Sequence, residues 1–167
     1  MRRDNVILIG MPGVGKSTVG VVLAKRLGYQ FVDSDICIQQ EEGRLLHEII
    51  EQEGLEGFLL IENRVNASFA CKKHVIATGG SAIYGAESME HLHKIGFVVY
   101  MKLPLEELSV RLGDLNKRGV ALKEKQTLED LYRERIPYYE QYADYIIDTS
   151  HLSIREIVAQ ISECYGT

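Results

Sequence analysis

Apolar residues along this chain follow two alternating rhythms. Asn5 to Gly10 is a short continuous apolar run, the pattern of a strand buried on both faces of a parallel sheet. Gln30 to Val32, His74 to Ala77, Phe97 to Met101 and Tyr145 to Ile147 read as four further strands. Between them the apolar spacing becomes helical over Ser17 to Leu27, Asp35 to about Glu42, roughly Leu46 to Ala70, Glu87 to Lys94, Pro104 to about Leu112, Leu128 to about Tyr142 and Ile154 to Cys164. Gly28 closes the first helix and Gly43 the second, while Gly54 and Gly57 interrupt the third. Pro104 suits a first helical turn, and Pro137 predicts a bend or break in the helix that contains it. Residues 113–125 are polar, carry Lys117, Arg118, Lys123 and Lys125, and read as an exposed segment. Strands alternating with helices imply an α/β fold with a parallel sheet covered on both faces.

The first strand runs into a glycine-rich loop. Residues 10–18 spell G-M-P-G-V-G-K-S-T, a complete G-x-x-x-x-G-K-[ST] phosphate loop with a strand before it and a helix after it. Gly10, Gly13 and Gly15 allow the tight turn that points backbone N–H groups at a β-phosphate, and the following helix N-terminus adds partial positive charge. In such a loop Lys16 reaches the β- and γ-phosphates and the Ser17 hydroxyl ligates Mg²⁺. The loop alone does not select a reaction. Asn116-Lys117-Arg118-Gly119 lacks the carboxylate of a guanine motif, and the Phe97 to Met101 strand ends at Lys102 rather than at an acid. GTPases and motor ATPases are thereby disfavoured, leaving small-molecule kinases and regulatory nucleotide-binding modules.

Two aspartates follow the second strand, Asp33 and Asp35, at the carboxyl edge where ligands of α/β sheets sit. Asp33 is a candidate to support the metal, or it merely caps the next helix. Asp35 is a candidate to accept or orient the proton of an attacking hydroxyl. Gly79 and Gly80 end the third strand at the same edge and allow close backbone approach to a ligand, or form a plain turn. Arg118 is placed to swing onto a transferring phosphate or is simply solvated, and Arg135 lies on a helix expected to cross the substrate side.

Composition narrows the partners. The chain has 167 residues, one domain by size (1–167), with 46% hydrophobic and 26% charged residues. A net charge of −5 argues against nucleic acid or an anionic membrane as the main partner. No run approaches the roughly 18 apolar residues of a membrane span, and Val6 to Ile9 is too short for a signal peptide. Three scattered cysteines, Cys37, Cys71 and Cys164, make neither a disulfide framework nor a metal pair. A cytoplasmic protein is expected.

In this order the elements resemble the shikimate kinase family over essentially the whole chain. Residues 10–18, F-V-D-S-D (31–35), G-F-L-L-I-E (57–62), A-T-G-G-S-A (77–82), R-G-V-A-L (118–122) and E-R-I-P-Y-Y (134–139) carry the resemblance. It implies a P-loop kinase of three-layer α/β/α type, with a five-stranded parallel sheet in order 2-3-1-4-5. A substrate-binding region would span about 34–62 and a lid about 113–125. The implied reaction is ATP-dependent phosphorylation of a hydroxyl on a small hydroxylated acid, shikimate itself in the leading reading, by a monomer using ATP and Mg²⁺. Position by position, Gly13, Val14, Gly15, Lys16, Ser17 and Thr18 would bind ATP, Ser17 and Asp33 would serve the metal, and Arg111 would stack on adenine. Asp35, Gly79, Gly80 and Arg135 would contact the substrate, and Arg118 would be the lid arginine.

One departure bears on the substrate. The family pattern G-x-x-x-F-R-x-x-E reads here Gly54-Leu55-Glu56-Gly57-Phe58-Leu59-Leu60-Ile61-Glu62, so the arginine that would grip the acid's carboxylate is Leu59 and Glu62 loses its expected partner. Such a charge-assisted bond contributes about 1.5–3 kcal/mol. Asn63 and Asn66 share the helical face of Leu59, where they would bind a neutral ligand or stand exposed. Arg44 or Arg64 would be a replacement for the missing cation. The third glycine of the family's triplet is Ser81, and the lid proline is Gly119. These departures keep open a kinase for another polyol or hydroxy acid, beside a module that binds nucleotide without phosphotransfer.

Overall fold

The computed structural model describes residues 3–113, 123 and 125–166. Five strands form one parallel sheet in the order β2-β3-β1-β4-β5. They are β1 (Asn5–Ile9), β2 (Gln30–Asp33), β3 (His74–Ala77), β4 (Gly96–Lys102) and β5 (Tyr145–Asp148). The helices around the sheet are α1 (Lys16–Leu27), α2 (Ser34–Glu42), α3 (Leu46–Ala67), α4 (Ala86–Ile95), α5 (Leu105–Leu112), α6 (Leu128–Tyr142) and α7 (Ile154–Gly166). A 3₁₀ turn at Ala82–Tyr84, absent from the sequence pattern, precedes α4.

The central strand explains the topology. All five residues of β1 are buried, and it pairs on one side with β3, Val6 opposite Val75, and on the other with β4, Leu8 opposite Val99. An apolar run without alternation satisfies both faces only where helices cover both. Most buried apolar side chains form one cluster around β1, β3 and β4, while Ile38, Ile49, Phe58 and Val65 make a second, smaller one between α2 and α3. The second cluster holds these two helices together beside the carboxyl edge of the sheet.

Of the helix breaks expected at Gly54, Gly57 and Pro137, the one at Gly54 is present. α3 departs from helical geometry at Gly54 (φ 72°, ψ 176°), whereas Gly57 stays helical. Glycine at 54 gives the chain a left-handed φ that other residues resist, and at 57 nothing requires one. α6 runs as one helix from Leu128 to Tyr142 with Pro137 inside it. It is started by reciprocal bonds between Thr127 and Asp130 and held at its far end by Tyr139, which stacks on Tyr100 of β4. Tertiary packing there outweighs the hydrogen bond lost at the proline.

Candidate functional site

The phosphate loop leaves β1 through Gly10, whose φ is +148° and whose hydrogen faces the Met101 carbonyl; a Cβ there would lie 2.6 Å from that oxygen. Gly13 and Gly15 also have positive φ, and Gly15 caps α1. Lys16 folds back into the loop it serves. Its Nζ donates to the carbonyls of Gly10 at 2.7 Å and Met11 at 2.9 Å, and burial lowers its pKa to about 8, with Asp35 pulling the other way. Ser17 and Thr18 stand exposed at the loop's mouth. Val14 turns its side chain into the core, and its N–H is used in a turn to Met11.

The readings of Asp33 as cap and as partner of the metal site are compatible. Its Oδ1 accepts the N–H groups of Asp35 at 2.9 Å and Ile36 at 3.3 Å, capping α2, while Oδ2 accepts the Ser17 hydroxyl at 2.6 Å. One carboxylate therefore fixes both the start of α2 and the orientation of Ser17. Both partners are hard oxygen donors, and among the described residues no group of three or more His, Cys, Asp or Glu could hold a metal alone. That sparse oxygen set fits Mg²⁺, which takes one or two protein ligands and completes its shell with phosphates and water.

Asp35, two residues on, is held facing a cleft of about 490 Å³. Burial raises its pKa to about 6, Asp33 adds to the rise, and Lys16 opposes it. Lys16 and Ser17 line the same cleft as Asp35, Gly79, Gly80, Ser81 and Arg135, with Leu46 and Phe58 as an apolar wall. The turn after β3 closes tightly on its neighbours. A Cβ on Gly79 would lie 2.7 Å from Asp35 Oδ1 and 2.8 Å from Glu62 Oε2, and one on Gly80 would meet the Pro12 ring and Arg135. Tyr139 donates its hydroxyl to the Gly80 carbonyl at 2.6 Å. The Arg135 side chain is 1% exposed and lies over the Tyr84 ring, 5.4 Å from its centroid. A buried guanidinium at the cleft wall suits an anionic group on a ligand.

Other positions read from the sequence fall elsewhere. Arg111 reaches the loop from α5, donating to the carbonyls of Gly13 at 3.4 Å and Val14 at 3.3 Å. Arg118 lies outside the described residues. Arg44 and Arg64 do not replace the missing cation. Arg44 bonds Glu42, Gln52 and Glu53, Arg64 bonds Glu42, and neither lines the cleft. Acidic neighbours on α2 and α3 capture both. Asn63 and Asn66 neither reach the cleft nor stand exposed. Asn63 accepts the Ser88 N–H at the start of α4, and Asn66 is fully buried and accepts the Ser34 hydroxyl, tying α3 to α2. Leu59 is half-buried in the small cluster with Leu46, Ile50 and Leu55.

Several contributors were missed as parts of the cleft, among them Pro12, Thr78, Ser81 and Leu112 in its lining. Leu46 and Phe58 form its apolar wall, and Glu62 lies behind its glycine turn. For Glu62 a signal existed. Phe58, Glu62 and Val65 are spaced i, i+4, i+7, a stripe that carries a carboxyl onto the buried face of α3.

A family model described as Shikimate kinase matches residues 12–165. The chain is 39% identical over 166 residues to the shikimate kinase of Methylococcus capsulatus, covering 98% of this chain and 93% of that one. It is 37% identical over 166 residues to that of Francisella tularensis subsp. novicida, covering 97% and 94%. Among solved structures, shikimate kinase from Acinetobacter baumannii in complex with shikimate superposes with a TM-score of 0.87 at 37% identity, covering 96% of this chain and 92% of that one. Shikimate kinase from Bacteroides thetaiotaomicron gives 0.79 at 25% identity, covering 98% of each.

Proposed function

The chain belongs to the shikimate kinase family, and from that premise we propose that it transfers the γ-phosphoryl group of ATP to a ring hydroxyl of shikimate. The observation that carries this reading is a single cleft shared by the phosphate-loop residues Lys16 and Ser17 and the acceptor-side residues Asp35, Gly80 and Arg135. Donor and acceptor groups meet in one space, as in-line transfer requires.

In the proposed mechanism Gly13 to Thr18 wrap the ATP phosphates, which Lys16 and the loop's N–H groups hold, while the Val14 N–H keeps the loop's own turn. Lys16 exchanges its two carbonyl partners for phosphate oxygens, which favour its charged form. Ser17, oriented by Asp33, would ligate Mg²⁺. When bound, that ion neutralises charge on the β- and γ-phosphates. Arg135 pairs with the acceptor's carboxylate, and Gly79 and Gly80 let the ring approach the backbone. Asp35, mostly ionised at neutral pH, accepts the hydroxyl proton as the oxygen bonds to the γ-phosphorus and the β–γ bridging bond breaks, releasing ADP. Arg111 steadies the loop from outside and faces the nucleotide, and Arg118 is assigned to the transferring phosphate.

The reading extends to one kinase domain over 1–167, with its substrate region at about 34–62 and its lid at about 113–125. It describes a cytoplasmic monomer whose partner is a small molecule rather than nucleic acid or membrane. The net charge of −5 weighs against nucleic acid or an anionic membrane as partner.

Leu59 favours a second reading, in which the acceptor is another hydroxy acid or polyol, because neither Arg44 nor Arg64 supplies a cation to the cleft. ADP release measured with Mg-ATP across shikimate and related hydroxy acids and polyols decides between them. Turnover of shikimate at a millimolar or lower KM is expected. Preference for a neutral polyol would establish the second reading, and tight ATP binding without any turnover would mark a nucleotide-binding module.

A further inference from the structure

One carboxyl beside the cleft has no part in the reaction described above. Glu62 is 2% exposed and reaches from α3 to the turn after β3. Its Oε1 accepts the Ser81 hydroxyl at 2.7 Å. Its Oε2 has no hydrogen-bond partner among the described residues and lies 2.8 Å from the point where a Cβ on Gly79 would sit. The two oxygens bracket the turn, one at Gly79 and one at Ser81, and both of these residues line the cleft.

The turn needs such an anchor. Gly79 and Gly80 have no side chains to hold it, and glycine pairs are conformationally free. From one side the Tyr139 hydroxyl fixes the Gly80 carbonyl, and from the other Glu62 holds Ser81. A buried carboxyl is costly without hydrogen bonds and is retained where a polar contact orders its surroundings. Leu59, one turn earlier on α3, offers Glu62 no charge, so Ser81 provides its bond.

We propose that Ser81 and Glu62 form a positioning pair for the acceptor, their hydrogen bond fixing the Gly79–Ser81 turn between Asp35 and Arg135 in place of a cation at position 59. The proposal rests on reading the cleft as the acceptor site. Burial raises the Glu62 pKa to about 7, Ser81 and the more distant Arg135 and Lys16 oppose the rise, and Asp35 adds to it. In either protonation state the carboxyl keeps an oxygen for the Ser81 hydroxyl. The pair acts through the turn and touches no reacting atom.

The test compares kcat, acceptor KM and ATP KM for the unmodified protein, Ser81→Ala, Glu62→Met, the double variant and Glu62→Gln, with melting curves to verify folding. Ser81→Ala removes a single oxygen and keeps the fold; Glu62→Met fills the volume without a polar tip. Each single change is expected to raise the shikimate KM about 5- to 20-fold, the scale of one lost hydrogen bond to a carboxyl, with kcat and ATP KM within about twofold. The double variant should be no worse than the worse single one, since both break the same bond. Glu62→Gln, which keeps an oxygen for Ser81, should recover most of the loss seen in Glu62→Met. An unchanged shikimate KM in Ser81→Ala, multiplying effects in the double variant, or an ATP KM rising in step would overturn the pair. Absence of shikimate turnover by the unmodified protein would remove the functional reading itself, so the two failures are told apart.

Discussion

Replacing Leu59 by arginine is the most informative single perturbation of the acceptor site. Position 59 lies one helical turn before Glu62, within reach of its side chain. The Glu62 Oε2 has no partner among the described residues. A guanidinium there would meet that oxygen and, if it extends past it towards the cleft, the carboxylate of a bound acid. One charge-assisted bond contributes about 1.5–3 kcal/mol, or about 10- to 150-fold in affinity. The opposing cost is packing. Leu59 is half-buried in the small cluster, and exposing half a leucine costs about 1 kcal/mol, part of which the arginine stem retains. The gain acts on binding and the cost on folding, so Leu59→Arg should lower the shikimate KM at least about tenfold while the melting temperature moves by only a few degrees. Steady-state kinetics at saturating Mg-ATP, with a neutral polyol acceptor as control, measure this. A shikimate KM unchanged or raised in a folded variant would refute the reasoning, as would an equal gain on an acceptor without a carboxylate.

Three other outcomes follow from the same geometry. Asp35→Asn should cut kcat by about 10²–10⁴ with ATP binding intact; because Asp35 titrates at about 6, activity of the unmodified protein should fall as pH drops through that value, and a profile flat to pH 5 would exclude Asp35 as the base. Glu62 has a pKa of about 7 when folded against an ordinary 4.5, so the native state holds its proton more tightly. That contribution to stability is present below pH 4.5 and is lost as pH rises to 7, an effect of about 3 kcal/mol. Between pH 4.5 and 7 the stability of Glu62→Gln should therefore fall less, or rise more, than that of the unmodified protein by about 3 kcal/mol, and an identical change in the two proteins would be contrary. Gly10→Ala would set a Cβ 2.6 Å from the Met101 carbonyl at φ +148°, so it should destabilise by about 2 kcal/mol or more and weaken ATP binding; an unchanged melting temperature would contradict the geometry.

Much of the donor side was legible along the chain because its signals are local. The phosphate loop is contiguous, its glycines are demanded by backbone φ, and the buried run of β1 requires helices on both faces of the sheet. Asp33 ends β2 and Asp35 lies in the first turn of α2, so the parallel topology alone brings them to the ligand edge. The helix breaks were harder to read. Gly54 and Gly57 are chemically alike, and only the path of α3 determines which adopts a left-handed φ.

The acceptor side depends on contacts between residues far apart in the chain. Arg44 and Arg64 are cations by sequence, but acidic neighbours on α2 and α3 decide that neither faces the cleft. Asn66 is polar by sequence, yet the junction of α2 and α3 buries it against Ser34. Ser81 and Glu62 are 19 positions apart and meet only because α3 packs over the turn after β3. Sequence determined the sheet, the phosphate loop and the chemistry available at its edge, since each depends on residues within a few positions of one another. Tertiary structure decided which charges turn inward and which carboxyl stays buried beside the cleft, because burial and pairing depend on every element that packs around a side chain.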